Sequence, residues 1–196
     1  MKSNIRRALW LGVVAMGATA VLFAANAFSQ TSSPSSTSKS ASVNAKGRAI
    51  CVLTPTEGNS AAGIVEFEET DEGVMIVAEI TGLEPNSKHG FHIHQYGDIS
   101  GKDGKATAGH FNPHGIDHAG PDADHRHVGD LGNLNAGADG VARYRRLDVH
   151  VKMVGEDSII GRGVIVHAGE DDLTSQPTGA AGARIAQGVI GIAKID

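Results

Sequence analysis

The 196-residue chain contains one cysteine, Cys51, so no disulfide can form within it. It has one tryptophan, Trp10, which lies in an N-terminal apolar segment, and aromatic residues make up only 4% of the whole. No stretch holds a sustained helical period, which argues against a helical bundle. Basic clusters are missing as well, which speaks against a nucleic-acid partner.

Three of the 17 basic residues, Lys2, Arg6 and Arg7, precede an apolar run from Ala8 to about Ala25. Ala25-Asn26-Ala27 follows, and this order of charge, apolar run and small residues is that of an export signal cut after Ala27. The run is almost long enough to span a bilayer, so a retained anchor is the alternative. Residues 28–45, "FSQTSSPSSTSKSASVNA", have the composition of a flexible linker. Residues 46–196 are then one domain, exported to a periplasm or the extracellular space and not itself inserted in a membrane. Without the three leader cations, 14 basic residues face 22 acidic ones, about −8.

The domain reads as strands and turns. "GRAICVL" sets Ile50 and Val52 against Cys51 and Leu53, and "AGIVEFEE" and "GVMIVAEI" follow. "GFHIH", "GVARYRRLDVHV", "IIGRGVIVH" and "ARIAQGVIGIAKI" come later, each close to glycine or acidic turn residues. Seven or eight short strands with frequent turn signals predict an all-β sandwich or barrel. Between about Tyr96 and Leu131 there is no strand pattern, and so long a loop in a compact domain is usually functional or disordered.

That loop holds five of the ten histidines: His110, His114, His118, His125 and His127. In "GFHIHQYGD" an extended strand puts His92 and His94 on one face. Two imidazoles there either face water or hold a metal. His127 and Asp130 are spaced for a turn that brings both onto one ion, and zinc accepts imidazole nitrogen together with carboxylate oxygen. His167 ends the apolar strand "GVIVH", at the barrel rim. An imidazole-rich site without thiolates suits copper and zinc.

"GFHIHQYGD", "GHFNP", "HAGP", "HVGDLGN", "GVIVH", "DDL" and "GARIAQGVIGIA" together resemble the copper-zinc superoxide dismutases, in order and over residues 46–196. The resemblance implies an eight-stranded Greek-key β-barrel, a flattened immunoglobulin-like sandwich, with two long functional loops. It implies copper on His92, His94, His110 and His167, and zinc on His110, His118, His127 and Asp130. His110 would be shared, one ring nitrogen for each metal. Asp171 would accept hydrogen bonds from His92 and His118, and Arg184 would attract and orient the superoxide anion. The implied reaction converts superoxide to oxygen and hydrogen peroxide by alternate reduction and reoxidation of the copper, with His110 passing a proton.

The resemblance also marks departures. The family's disulfide would join positions near Gly104 and at Gln187, neither a cysteine. A hydrogen bond from the Gln187 side chain to the backbone of residues 97–109 is the expected replacement. The loop between His167 and Arg184 is short and has no lysine. Ile50, Val52, Gly97, Ile160-Gly161 and "GVIGIAK" match a dimer surface, which implies a homodimer. His89 is expected to be structural, Cys51 buried, and His114, His125 and His150 at the surface. An exported protein that buffers or delivers copper and zinc is the alternative function.

Overall fold

The computed structural model describes residues 47–194. The expected signal peptide (1–27) and linker (28–45) lie outside the described residues. Eight strands follow in chain order: β1 (Arg48–Pro55), β2 (Ala62–Glu69), β3 (Val74–Thr81), β4 (Lys88–His94), β5 (Asp130–Asn135), β6 (Ala142–Asp148), β7 (Gly163–His167) and β8 (Arg184–Ile192). The only helical element among the described residues is a single 3₁₀ turn, Lys105–Thr107.

Alternation builds the core. Ala49, Cys51 and Leu53 of β1 point inward, as do Val74, Ile76, Ala78 and Ile80 of β3. The strands run β5-β4-β7-β8-β1-β2-β3-β6, every neighbour antiparallel. The ends of that order meet. Tyr144 Oη on β6 donates to Leu131 O on β5 at 3.0 Å, and Ala136 bridges Ala142. The result is a nearly closed barrel, in which β3–β4 and β6–β7 link non-neighbouring strands as a Greek key requires.

One strand escapes the alternation pattern. β5 has Leu131 and Leu134 as its only apolar residues, three apart. A register shift against β4 between Gly90 and His92 inserts an extra residue in β5. The bulge turns both leucines inward, where both are buried.

β4 and β7 are buried on both faces. Phe91 and Ile93 of β4 enter the core cluster, so His92 and His94 stand on the outer face of the barrel. That face is covered by residues 95–129 and 168–183, which connect β4 to β5 and β7 to β8. Two long loops over a strand pair create a dry space outside the hydrophobic core, and the histidines fill it.

The loops are held by polar contacts. Gln187 Nε2 donates to Gly101 O at 2.9 Å, so the expected amide tie exists, three residues before Gly104. Glu57 N–H adds a bond to Lys102 O at 2.9 Å. Farther along, the buried Arg126 donates to Pro121 O and His127 O and pairs with Asp148 at 2.6 Å. The sequence reading missed this guanidinium, which sets the turn from His127 to Asp130. Of the histidines expected at the surface, His114 and His125 are exposed and His150 is half-buried.

Candidate metal centre

Two groups of donor atoms lie under the loops. His92, His94, His110 and His167 form one, and His110, His118, His127 and Asp130 the other, with the donor atoms of each group within 4.8 Å of one another. All seven residues are buried. The His92 and His110 rings lie 3.9 Å apart between centroids, and His110 and His118 5.3 Å.

The outer nitrogen of each imidazole decides what its inner nitrogen offers. His94 Nδ1 donates to Ala108 O at 2.8 Å, His167 Nδ1 to Gly182 O at 3.1 Å, and His92 Nε2 to Asp171 Oδ2 at 2.7 Å. A neutral imidazole has one N–H, so its other nitrogen keeps a lone pair. His94 Nε2, His167 Nε2 and His92 Nδ1 are therefore lone pairs, and all three are buried without a hydrogen-bond partner. His110 Nε2 is a fourth buried, unpartnered nitrogen in the same group.

The second group is stranger without a cation. His127 Nε2 donates to Ile116 O at 2.9 Å and His118 Nε2 to Asp171 Oδ1 at 2.9 Å, which leaves lone pairs on both Nδ1 atoms. Yet those atoms lie 3.1 Å and 3.0 Å from Asp130 Oδ1, and His110 Nδ1 lies 2.8 Å from it. The His118 contact meets the distance of an ion pair but not the geometry of a hydrogen bond. Lone pairs pressed against a carboxylate oxygen repel. Three nitrogens and an oxygen gathered this way are a tetrahedral donor set for a small divalent cation.

Electrostatics follow the same division. Burial above all, with the neighbouring His110, lowers His92 to about 3, and burial lowers His167 to about 4. His94 is held well below its ordinary value by the same causes. These rings stay neutral at physiological pH and keep their lone pairs. His118 differs: burial opposes its charge, but the Asp130 and Asp171 carboxylates outweigh burial and push it up to about 9. In the absence of a cation, a proton on His118 is the remedy for the crowding.

Asp171 is the hinge between the groups. One carboxylate takes His92 and His118, and Leu173 N–H adds a third bond to Oδ1 at 2.7 Å. Burial opposes its charge, yet these donors hold its carboxyl below the usual range. Its backbone is clamped by Asn133, which donates to Asp171 O and accepts from Asp171 N, both at 2.8 Å. Gly179 leaves the needed room: a Cβ there would collide with Asp171 Oδ1 and lie 2.7 Å from His118 Nε2. His89 supports the other side, with Nδ1 bonded to His167 O at 2.8 Å.

Arg184, half-buried at the start of β8, completes the centre. Nη1 donates to Gly104 O at 2.6 Å and Thr107 Oγ1 at 3.0 Å, and Nη2 to Ala108 O at 2.6 Å. Its charge is felt by both His94 and His167. Thr107, Ala108 and Asn133 were not legible as site residues, because each acts through a backbone or hydroxyl contact that no motif marks.

Residues 61–190 match the family described as copper/zinc superoxide dismutase (SODC). The chain belongs to the copper/zinc superoxide dismutase family. The superoxide dismutase [Cu-Zn] of Candida albicans is 48% identical over 139 residues, 66% of this chain and 89% of that protein. The superoxide dismutase [Cu-Zn] of Onchocerca volvulus is 45% identical over 156 residues, 74% and 95% of the two chains. Among solved structures, the crystal structure of the clock protein EA4 matches with a TM-score of 0.69 at 40% identity, covering 76% of this chain and 96% of that one. Copper and zinc are the metals this family implies, and the two donor sets fit them.

Proposed function

We propose that the protein dismutates superoxide, turning two anions and two protons into oxygen and hydrogen peroxide. His92, His94, His110 and His167 hold copper, and His110, His118, His127 and Asp130 hold zinc. The observation that carries this reading is the set of buried imidazole nitrogens aimed at two points, every ring but the shared His110 fixed by a hydrogen bond on its far side. Copper, once bound, supplies a one-electron couple, whereas zinc supplies charge without redox chemistry.

The chain's own residues do the rest. Arg184 presents a guanidinium fixed by Gly104, Thr107 and Ala108, and it attracts and orients the anion. His110 is the only ring with both nitrogens turned to the donor groups, so its Nε2 can take up a proton and return it to the reduced product. Asp171 keeps His92 and His118 in the tautomers that leave their Nδ1 atoms unprotonated. The rings themselves lie buried beneath the covering loops, with the half-buried Arg184 at their edge.

Metal analysis joined to a superoxide decay assay tests this reading. One copper and one zinc per chain with fast decay are expected, and His167→Ala should abolish activity. Both metals without accelerated decay would favour the buffering protein instead.

The leader pattern supports export to the periplasm or extracellular space, with the domain itself outside the bilayer. No helix among the described residues is long and apolar enough to cross a membrane. Val52 and Ile64, directly opposed on β1 and β2, are exposed apolar residues of the outer face, at 59% and 47%. Such a patch supports a twofold homodimer. A monomer in sedimentation at micromolar concentration would refute it.

A further inference from the structure

The guanidinium of Arg184 and the imidazole of His94 lean on one oxygen. Ala108 O accepts from Arg184 Nη2 at 2.6 Å and from His94 Nδ1 at 2.8 Å. Thr107 Oγ1 lies within reach of both groups as well, 3.0 Å from Arg184 Nη1 and 3.2 Å from His94 Nδ1. Ala108 attains this with φ 61° and ψ −145°, close to a region almost reserved for glycine. An L-residue stays there only where its surroundings over-determine it. They do here: Ala108 N–H bonds Lys105 O at 3.0 Å, and Gln95 N–H bonds Gly109 O at 2.8 Å on the other side.

The strain thus falls on the one peptide whose carbonyl serves two functional groups. We propose that Ala108 is a positioning residue that sets the anion-binding guanidinium and the His94 imidazole together through its single carbonyl oxygen. Rotating that peptide would take the shared acceptor from both groups at once and leave Arg184 only its Nη1 contacts to Gly104 O and Thr107 Oγ1. It would also free His94 Nδ1–H from its acceptor and so loosen the tautomer that aims Nε2 inward. This rests on the reading of Arg184 as the anion's partner and His94 as a copper ligand. It adds that the two are coupled.

Three variants test the coupling, with azide as the anion probe and with readouts other than turnover. Ala108→Val puts a β-branched residue at positive φ, where it is a genuine outlier, so the peptide should rotate. Azide affinity should then fall about 10-fold or more, the lower end for a lost supporting contact. The copper absorption and paramagnetic resonance spectra should change in the same variant. Ala108→Gly keeps the carbonyl and relieves the strain, so it should retain wild-type azide affinity and copper spectra while melting higher. Arg184→Lys removes the paired contacts to Gly104 O and Ala108 O, and it should move the His94 Nδ1–H resonance even in zinc-loaded protein without copper. A folded Ala108→Val protein with neither azide affinity nor copper spectrum altered, or with only one altered, would overturn the coupling. If that variant does not fold, an unmoved His94 resonance in Arg184→Lys overturns it. Wild-type protein whose copper spectrum ignores azide would instead refute the underlying reading of the site.

Discussion

Asp171→Asn should separate the two metals. The carboxylate takes His118 and Leu173 on Oδ1 and His92 on Oδ2. An asparagine has one acceptor oxygen and one NH₂. Two donors already favour the oxygen at the Oδ1 position, so the NH₂ must face His92 Nε2–H. Donor then meets donor, in a place with no water to help, since Asp171 and His92 are 1% and 0% exposed. His92 escapes by moving its proton to Nδ1, the nitrogen that offers its lone pair to copper. His118 keeps its acceptor, though a neutral one. Loss of such an outer partner typically costs about 10–100-fold in metal affinity, or about 1.4–2.8 kcal/mol. Copper should lose that much and zinc less. Competition against chelators, run for each metal in wild type and variant, measures the two numbers. Equal losses, or none, would show that the amide does not turn its NH₂ to His92.

Zinc binding should release about one proton per ion at pH 7, because the ion displaces the proton that His118 otherwise carries. The pKa of His118 is raised to about 9. Release should therefore vanish as pH passes 9, and calorimetry in buffers of different ionisation enthalpy reads it. In zinc-free protein the same shift means that His118 contributes stability fully present below about 6.5 and lost as pH rises through about 9. Reducing agent should leave melting temperature and activity unchanged, since the lone cysteine is buried and burial pushes its thiol up to about 12. Removing zinc should lower the melting temperature and speed amide exchange in residues 97–109, as loss of a ligand bound only by the native state requires. Arg184→Ala should slow turnover and flatten its dependence on ionic strength with metal content unchanged, a comparison made by stopped-flow at several salt concentrations.

Legibility differed by the kind of contact involved. His92 and His94 could be placed on one face from strand alternation alone, and Leu53 and Cys51 on the other side of their own strand. β5 could not, because a bulge reverses the alternation of Leu131 and Leu134. Motifs pointed to Asp171 and Arg184 but not to what holds them. Asn133 clamps Asp171 through main-chain atoms, and Ala108 meets Arg184 through a carbonyl. Backbone acceptors carry no side-chain signature. Gln187 was the exception, since its place opposite a missing cross-link suggested an amide tie, and Gly101 O receives it. Arg126 reads as one more surface cation until the fold buries it against Asp148.

The most direct measurement is the rate of superoxide decay with purified protein carrying one copper and one zinc per chain. Decay should be first order in protein, dependent on copper and lost in His92→Ala. A rate no faster than that of the spontaneous reaction at full occupancy of both metals would contradict dismutation by this protein.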